Sequence, residues 1–272
     1  MGRSWSLRRF AAAELLVWAS LYPAYLAIRG SSIDDGKEAI GHATSLDDLE
    51  HATGLMHEAD VQSLFHPVVD AFSAYYMLGF GPLIAATLIW LGIRHRDLYA
   101  RLRTLLFASL GLAVIGYVFY PTAPPRLVPG LGISDTVGLS AHDTGSMAGI
   151  RFNPYAAMPS MHVGWSVLLG IFGFRAARSR WLKAFFVAHP FLMVLTVTAT
   201  GNHYFVDAIG GAAAAFAAIL LISAVRRLRS RRLAARGEGA EIIPFPARPA
   251  TAGVGLAKPQ IRARRRTRRL AA

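Results

Sequence analysis

The sequence predicts an all-α, polytopic membrane protein, a bundle of six transmembrane helices with an amphipathic helix on its outer surface. Three observations carry that expectation. The 272 residues are 54% hydrophobic and only 17% charged, with a mean hydropathy of +0.38, too apolar for an ordinary soluble domain. Stretches near the ~20 apolar residues that a span needs recur at 10–28, 68–93, 104–120, 160–177, 184–200 and 204–225. The loops between them differ in charge, with 34–60 acidic and 94–103 and 175–183 basic.

The first stretch follows Arg3, Arg8 and Arg9. A signal peptide would fit that start, but no small-residue cleavage site follows "WASLYPAYLAIRG" and the apolar core is long, so it reads as a retained span. Within the loop 29–67, residues 34–60 are acidic, with Asp34, Asp35, Glu38, Asp47, Asp48, Glu50, Glu58 and Asp60 against Lys37. Within it, residues 45–65 space Leu46, Leu49, Thr53, Met56, Val61 and Leu64 mostly at three and four, with Ser45 and Asp48 as a capping box. That pattern suits a helix lying on the outer membrane surface or one packed against the protein.

The loops "RHRDLYARLR" (94–103) and "RAARSRWLK" (175–183) are basic. Positive loops stay inside, which puts 29–67, 121–159 and 201–203 outside and both termini in the cytoplasm of a multi-pass cell-membrane protein. From Arg226 onward lie 14 of the 29 Lys and Arg residues, part of a formal net charge of +13. Basic residues clustered beside a span meet anionic membrane lipid, so the charge does not call for nucleic acid. Residues 226–272 read as a basic tail, without hydrophobic periodicity from 237 onward and therefore disordered. Cysteine is absent, which excludes disulfides and thiolate metal sites.

Polar stretches then sit at the outer ends of three spans: "YPTAPPRLVPG" (120–130), "MPSMH" (158–162) and "TGNHYFVD" (200–207). All fall on one side and can meet in one pocket. His203 and Asp207, four apart on a helix, share a face. An Asp there fixes the tautomer and leaves the other ring nitrogen as a nucleophile, although such a pair is also a common structural contact. Pro159 suits a first helical turn, and Ser160 offers a hydroxyl and an N–H at a positive helix end, where phosphate binds. His162 beside bound phosphate could protonate a leaving oxygen. Arg126 could hold phosphate bidentately or anchor a lipid headgroup.

"YPTAPPR", "AAMPSMHV" and "TGNHYFVDAIGG" resemble the three signature stretches of the type 2 phosphatidic acid phosphatase superfamily, most closely its inositol phosphorylceramide synthase (inositolphosphotransferase) branch. The resemblance covers roughly residues 40–215. It implies that 68–225 is a catalytic core in which His203 forms a phosphohistidine, Asp207 orients it and His162 protonates the leaving group. Arg126 and Ser160 would hold phosphate, with Asn202 as a compensating ligand. The wider superfamily usually has a Lys ahead of an Arg-Pro pair, whereas here Pro125–Arg126 reverses that order. It also usually has an Arg six residues before the third-motif histidine, where this chain has Val197.

The expected activity is therefore that of a lipid phosphatase or phosphotransferase acting on a phosphoester or pyrophosphate lipid, with water or an acceptor alcohol, such as an inositol-type headgroup, as second substrate. No metal and no cofactor are required. Two other classes remain: a metal-dependent intramembrane hydrolase, which lacks an H-E-x-x-H run, and a non-enzymatic transporter or scaffold with intramembrane histidines.

Overall fold

The computed structural model describes Glu14 and residues 36–55, 58–138 and 154–235. Every extended element in that set is helical: α1 (Gly36–Thr53), α2 (Glu58–Arg94), α3 (Arg96–Phe119), α4 (Met161–Ala176), α5 (Arg180–Ala199) and α6 (Phe205–Ala235). The chain divides at Arg226/Arg227 into two units, of which the second is described only through the end of α6. Among the described residues, α2, α3, α5 and α6 are long and apolar enough to cross a bilayer. The first predicted span, apart from Glu14, and residues 236–272 lie outside the described residues.

Two expectations change here. The predicted span at 160–177 is α4, a helix of 16 residues, about 24 Å long against a hydrocarbon core of about 30 Å. Leu168 and Leu169 are fully buried, and α4 packs against α3 and α5. A helix sheathed by protein can be short, because the backbone beyond its ends is not exposed to lipid. The expected single helix at 45–65 is instead the end of α1 and the start of α2. Gly54, at φ +68°, stops α1, and Leu55 N–H returns to Glu50 O at 3.0 Å.

α2 contains a 3₁₀ turn at His66–Val68 and a π turn at Tyr75–Gly79. α4 and α5 start at Ser160 and Ser179, whose side chains accept from Val163 N and Trp181 N. The core is built from Leu91 of α2, Leu102 and Leu106 of α3, and Leu168 and Leu169 of α4, all fully buried. Ile89, Ile115, Phe191, Phe216 and Leu220 point outward, as suits a lipid-facing surface.

Short connections fix the arrangement. α2 joins α3 at His95, and α4 joins α5 through residues 177–179, so Arg94, Arg96, Arg175, Arg178 and Arg180 collect at one end of the bundle. Near that end Glu14 accepts from Tyr99 Oη at 2.8 Å and pairs with Arg103. At the other end lie the end of α3 and the starts of α4 and α6, which carry the three polar stretches.

Candidate functional site

Backbone hydrogen bonds lace the three stretches together. Thr122 N–H donates to Tyr155 O at 2.8 Å, and Ala157 N–H to Thr122 O at 3.2 Å. Arg126 N–H donates to Gly201 O at 3.0 Å, and Ser160 N–H to Asp207 O at 2.9 Å. Glycines permit the last approach: a Cβ on Gly211 would lie 2.0 Å from Ser160 O, and one on Gly164 2.6 Å from Gly211 O. Gly201, at φ +63°, makes the turn that returns Asn202 and His203 N–H groups to Val197 O at 3.0 and 3.2 Å.

His203 is buried. Its Nδ1 lies 2.9 Å from Ala157 O and 3.5 Å from Asp207 Oδ2. A carbonyl and a carboxylate only accept, so the neutral ring carries its proton on Nδ1 and its lone pair on Nε2. The nearer partner is thus a backbone carbonyl of the second stretch. Asp207, fully buried, also accepts from Tyr204 N–H at 3.0 Å, the reach-back of a helix cap.

His162 stands 5.8 Å from His203 between ring centroids, close enough for one phosphoryl group to touch both rings. Tyr76, on the π turn of α2, stacks on His162 at 4.3 Å, and Phe80 lies 5.2 Å away. Arg126 donates from Nε to Asn202 Oδ1 at 3.0 Å, with Asp135 Oδ1 at 3.8 Å. Burial lowers the Arg126 pKa from its ordinary value, while Asp135 and Tyr76 hold it up.

Of the residues expected at the site, His162, His203 and Asp207 are thus clustered, with Arg126 tied to the same turn through Asn202. Asn202 is committed differently from expectation: Oδ1 serves Arg126 and Nδ2 donates to Thr200 Oγ1 at 2.8 Å, so its side chain braces the arginine. Ser160 caps α4, and its N–H is already given to Asp207 O, which leaves the hydroxyl and the helix end as its means of meeting an anion.

Sequence reasoning missed the Ala157 carbonyl, Tyr76, Gln62, Glu50 and Glu58. Gln62 Nε2 donates to Ser134 O and Ala199 O at 3.0 and 3.1 Å, and its Oε1 accepts from Ser134 N–H at 2.8 Å. Glu50 Oε1 and Glu58 Oε1 accept from Val206 and Phe205 N–H at 2.6 and 3.0 Å. Their only signal in the sequence was polarity in the loop ahead of a span. α1 lies over the site: Ala123 N–H donates to Ala39 O at 3.0 Å, His42 Nδ1 to Pro121 O at 2.8 Å, and Tyr204 is buried with Ala39, Ala43 and Leu46.

Among the described residues, no group of three or more His, Cys, Asp or Glu side chains is arranged to hold a metal ion. Comparisons with curated proteins and with solved structures gave no match. The pattern of the PAP2 superfamily matches residues 44–221, from within α1 to within α6 and through all three polar stretches, and the chain belongs to that superfamily.

Proposed function

We propose that this protein is an integral membrane lipid phosphatase or phosphotransferase that works through a phosphohistidine on His203. Membership in the PAP2 superfamily suggests the reaction class. The observation that carries the residue roles is the pairing of His203 Nδ1 with two acceptors while His162 stands 5.8 Å from its ring.

In the first half-reaction His203 Nε2 attacks phosphorus, an N–P bond forms, and the P–O bond to the lipid alcohol or diphosphate breaks. The departing oxygen takes its proton from His162. Asp207 and the Ala157 carbonyl stabilise the positive charge that His203 gains. In the second half, water or an acceptor alcohol gives a proton to His162 and attacks the phosphohistidine, which restores both imidazoles. Arg126, braced by Asn202, and the start of α4 at Ser160 hold the phosphoryl oxygens. The motif resemblance to inositol phosphorylceramide synthases makes an acceptor alcohol such as an inositol-type headgroup one candidate beside water, and the reading covers hydrolysis and transfer alike. The chemistry calls for no metal.

The test is turnover of two phosphate esters with different leaving-group pKa. His203→Ala should abolish both. His162→Ala should slow the alkyl ester by on the order of 10²–10⁴ and spare much of the activity on an aryl ester, whose leaving group needs no proton. Equal impairment of both esters at unchanged stability would remove His162 from the acid role. Activity lost to chelator and restored by zinc would reject the metal-free mechanism.

A further inference from the structure

An α-helix starts with N–H groups that lack partners. At α6 these are met by carboxyls from three places: Asp207 Oδ2 takes Tyr204 N–H at 3.0 Å, Glu58 Oε1 takes Phe205 N–H at 3.0 Å, and Glu50 Oε1 takes Val206 N–H at 2.6 Å. Glu50 and Glu58 are 1% and 3% exposed and come from α1 and the start of α2, about 150 residues away in sequence. Burying two acids together is costly unless they are hydrogen-bonded. Glu50 Oε2 is buried with no hydrogen-bond partner, and the two carboxyls sit on the adjacent N–H groups of Val206 and Phe205. Two ionised carboxylates this close and this buried repel each other, which one proton held between the pair relieves.

We propose that Glu50 and Glu58 are a proton-sharing positioning pair that clamps α1 and the start of α2 onto the helix bearing Asp207, and so holds His203 and Asp207 in register. The catalytic consequence rests on the function proposed above; the clamp itself does not. Burial and the Glu58 contact push Glu50 up to about 8, against the Val206 N–H. The charged groups that act on it are both acids, Glu58 from α2 and Asp207 from α6. Tyr204, ahead of α6, is buried under the influence of Asp207, Asp47, Glu58 and Glu50, and its hydroxyl stays protonated. As pH rises toward about 8 the clamped state's tighter hold on this proton is lost, and the clamp loosens as a further negative charge appears beside Asp207.

The deciding experiment is amide hydrogen exchange of residues 204–208 in the full-length chain in lipid nanodiscs from pH 6 to 9.5, corrected for intrinsic rates. Wild-type protection should fall by on the order of tenfold per pH unit from pH 6 to about 8 and level off above it. In Glu50→Gln it should be independent of pH, because the carboxamide accepts from Val206 and donates to Glu58 without titrating. Glu50→Ala should lose protection at every pH; if it does not fold, Glu50→Gln alone decides. With dioctanoyl phosphatidic acid as probe, kcat should show an alkaline decline in the wild type that Glu50→Gln shifts upward, with KM unchanged. The same pH dependence of protection in wild type and Glu50→Gln would overturn the pair. If protection behaves as expected but phosphate release survives in His203→Ala, the clamp stands and the phosphohistidine reading falls.

Discussion

Because Ala157 O and Asp207 Oδ2 both accept on the Nδ1 side of His203, two groups share the task of fixing its tautomer, and the carbonyl is the closer by 0.6 Å. Asp207→Asn should therefore lower kcat by only on the order of 10–10² with KM near wild type, well short of the loss in His203→Ala. A loss as complete as that of His203→Ala would give the carboxylate the whole task. Asn202→Ala removes the brace on Arg126 and should act on phosphate binding, raising KM severalfold; an unchanged KM would contradict the bracing role. Glu50 bears on stability as well. Its pKa in the fold, about 8, exceeds the ordinary 4.5. The folded state binds the proton more tightly, so this contribution is full below pH 4.5 and is lost as pH rises to about 8. The Tm of wild type minus that of Glu50→Gln should accordingly fall between pH 5 and 9, and a constant difference would contradict the assignment.

At the scale of elements, the crossing of α4 and α6 is set by Gly164 and Gly211, where backbone meets backbone. Gly211→Ala places a methyl 2.0 Å from Ser160 O, which neither helix can relieve by a rotamer change. The expected cost is about 1–3 kcal/mol, together with loss of activity, because the shift separates His162 from His203. Thermal unfolding and turnover of the same preparation measure both, and a variant of wild-type activity would show that the crossing does not set the site. Apolar runs made α2, α3, α5 and α6 legible in the sequence, and helix-end chemistry and spacing brought Ser160, His162, His203 and Asp207 to notice, whereas Pro159, expected in a first helical turn, lies ahead of the Ser160 cap of α4. What stayed hidden has a common physical cause. The Ala157 carbonyl has no side-chain signature, Tyr76 is one aromatic in an apolar run, and Glu50 and Glu58 read as solvated loop charges until packing places them on α6. Asn202 was read as a ligand because nothing in the sequence shows that its amide is already engaged.

For the molecule as a whole, the polar stretches gather at one end of the bundle and the arginines of the connecting turns at the other. From the positive-inside rule we propose that the site end faces out. A cysteine placed at Gly130 in this cysteine-free chain should be labelled from outside intact cells, and one at Ser179 only after permeabilisation. The reverse pattern would move the site to the cytoplasmic face.

The central claim is a covalent bond between His203 Nε2 and phosphorus. Its most direct test is a rapid acid-free quench during turnover of ³²P-labelled phosphatidic acid, followed by peptide mapping. The account predicts label on the peptide containing His203, stable to alkali and lost in acid, absent from His203→Ala and accumulating when the acceptor step is slowed. Label on another residue, or sustained turnover in His203→Ala, would contradict it.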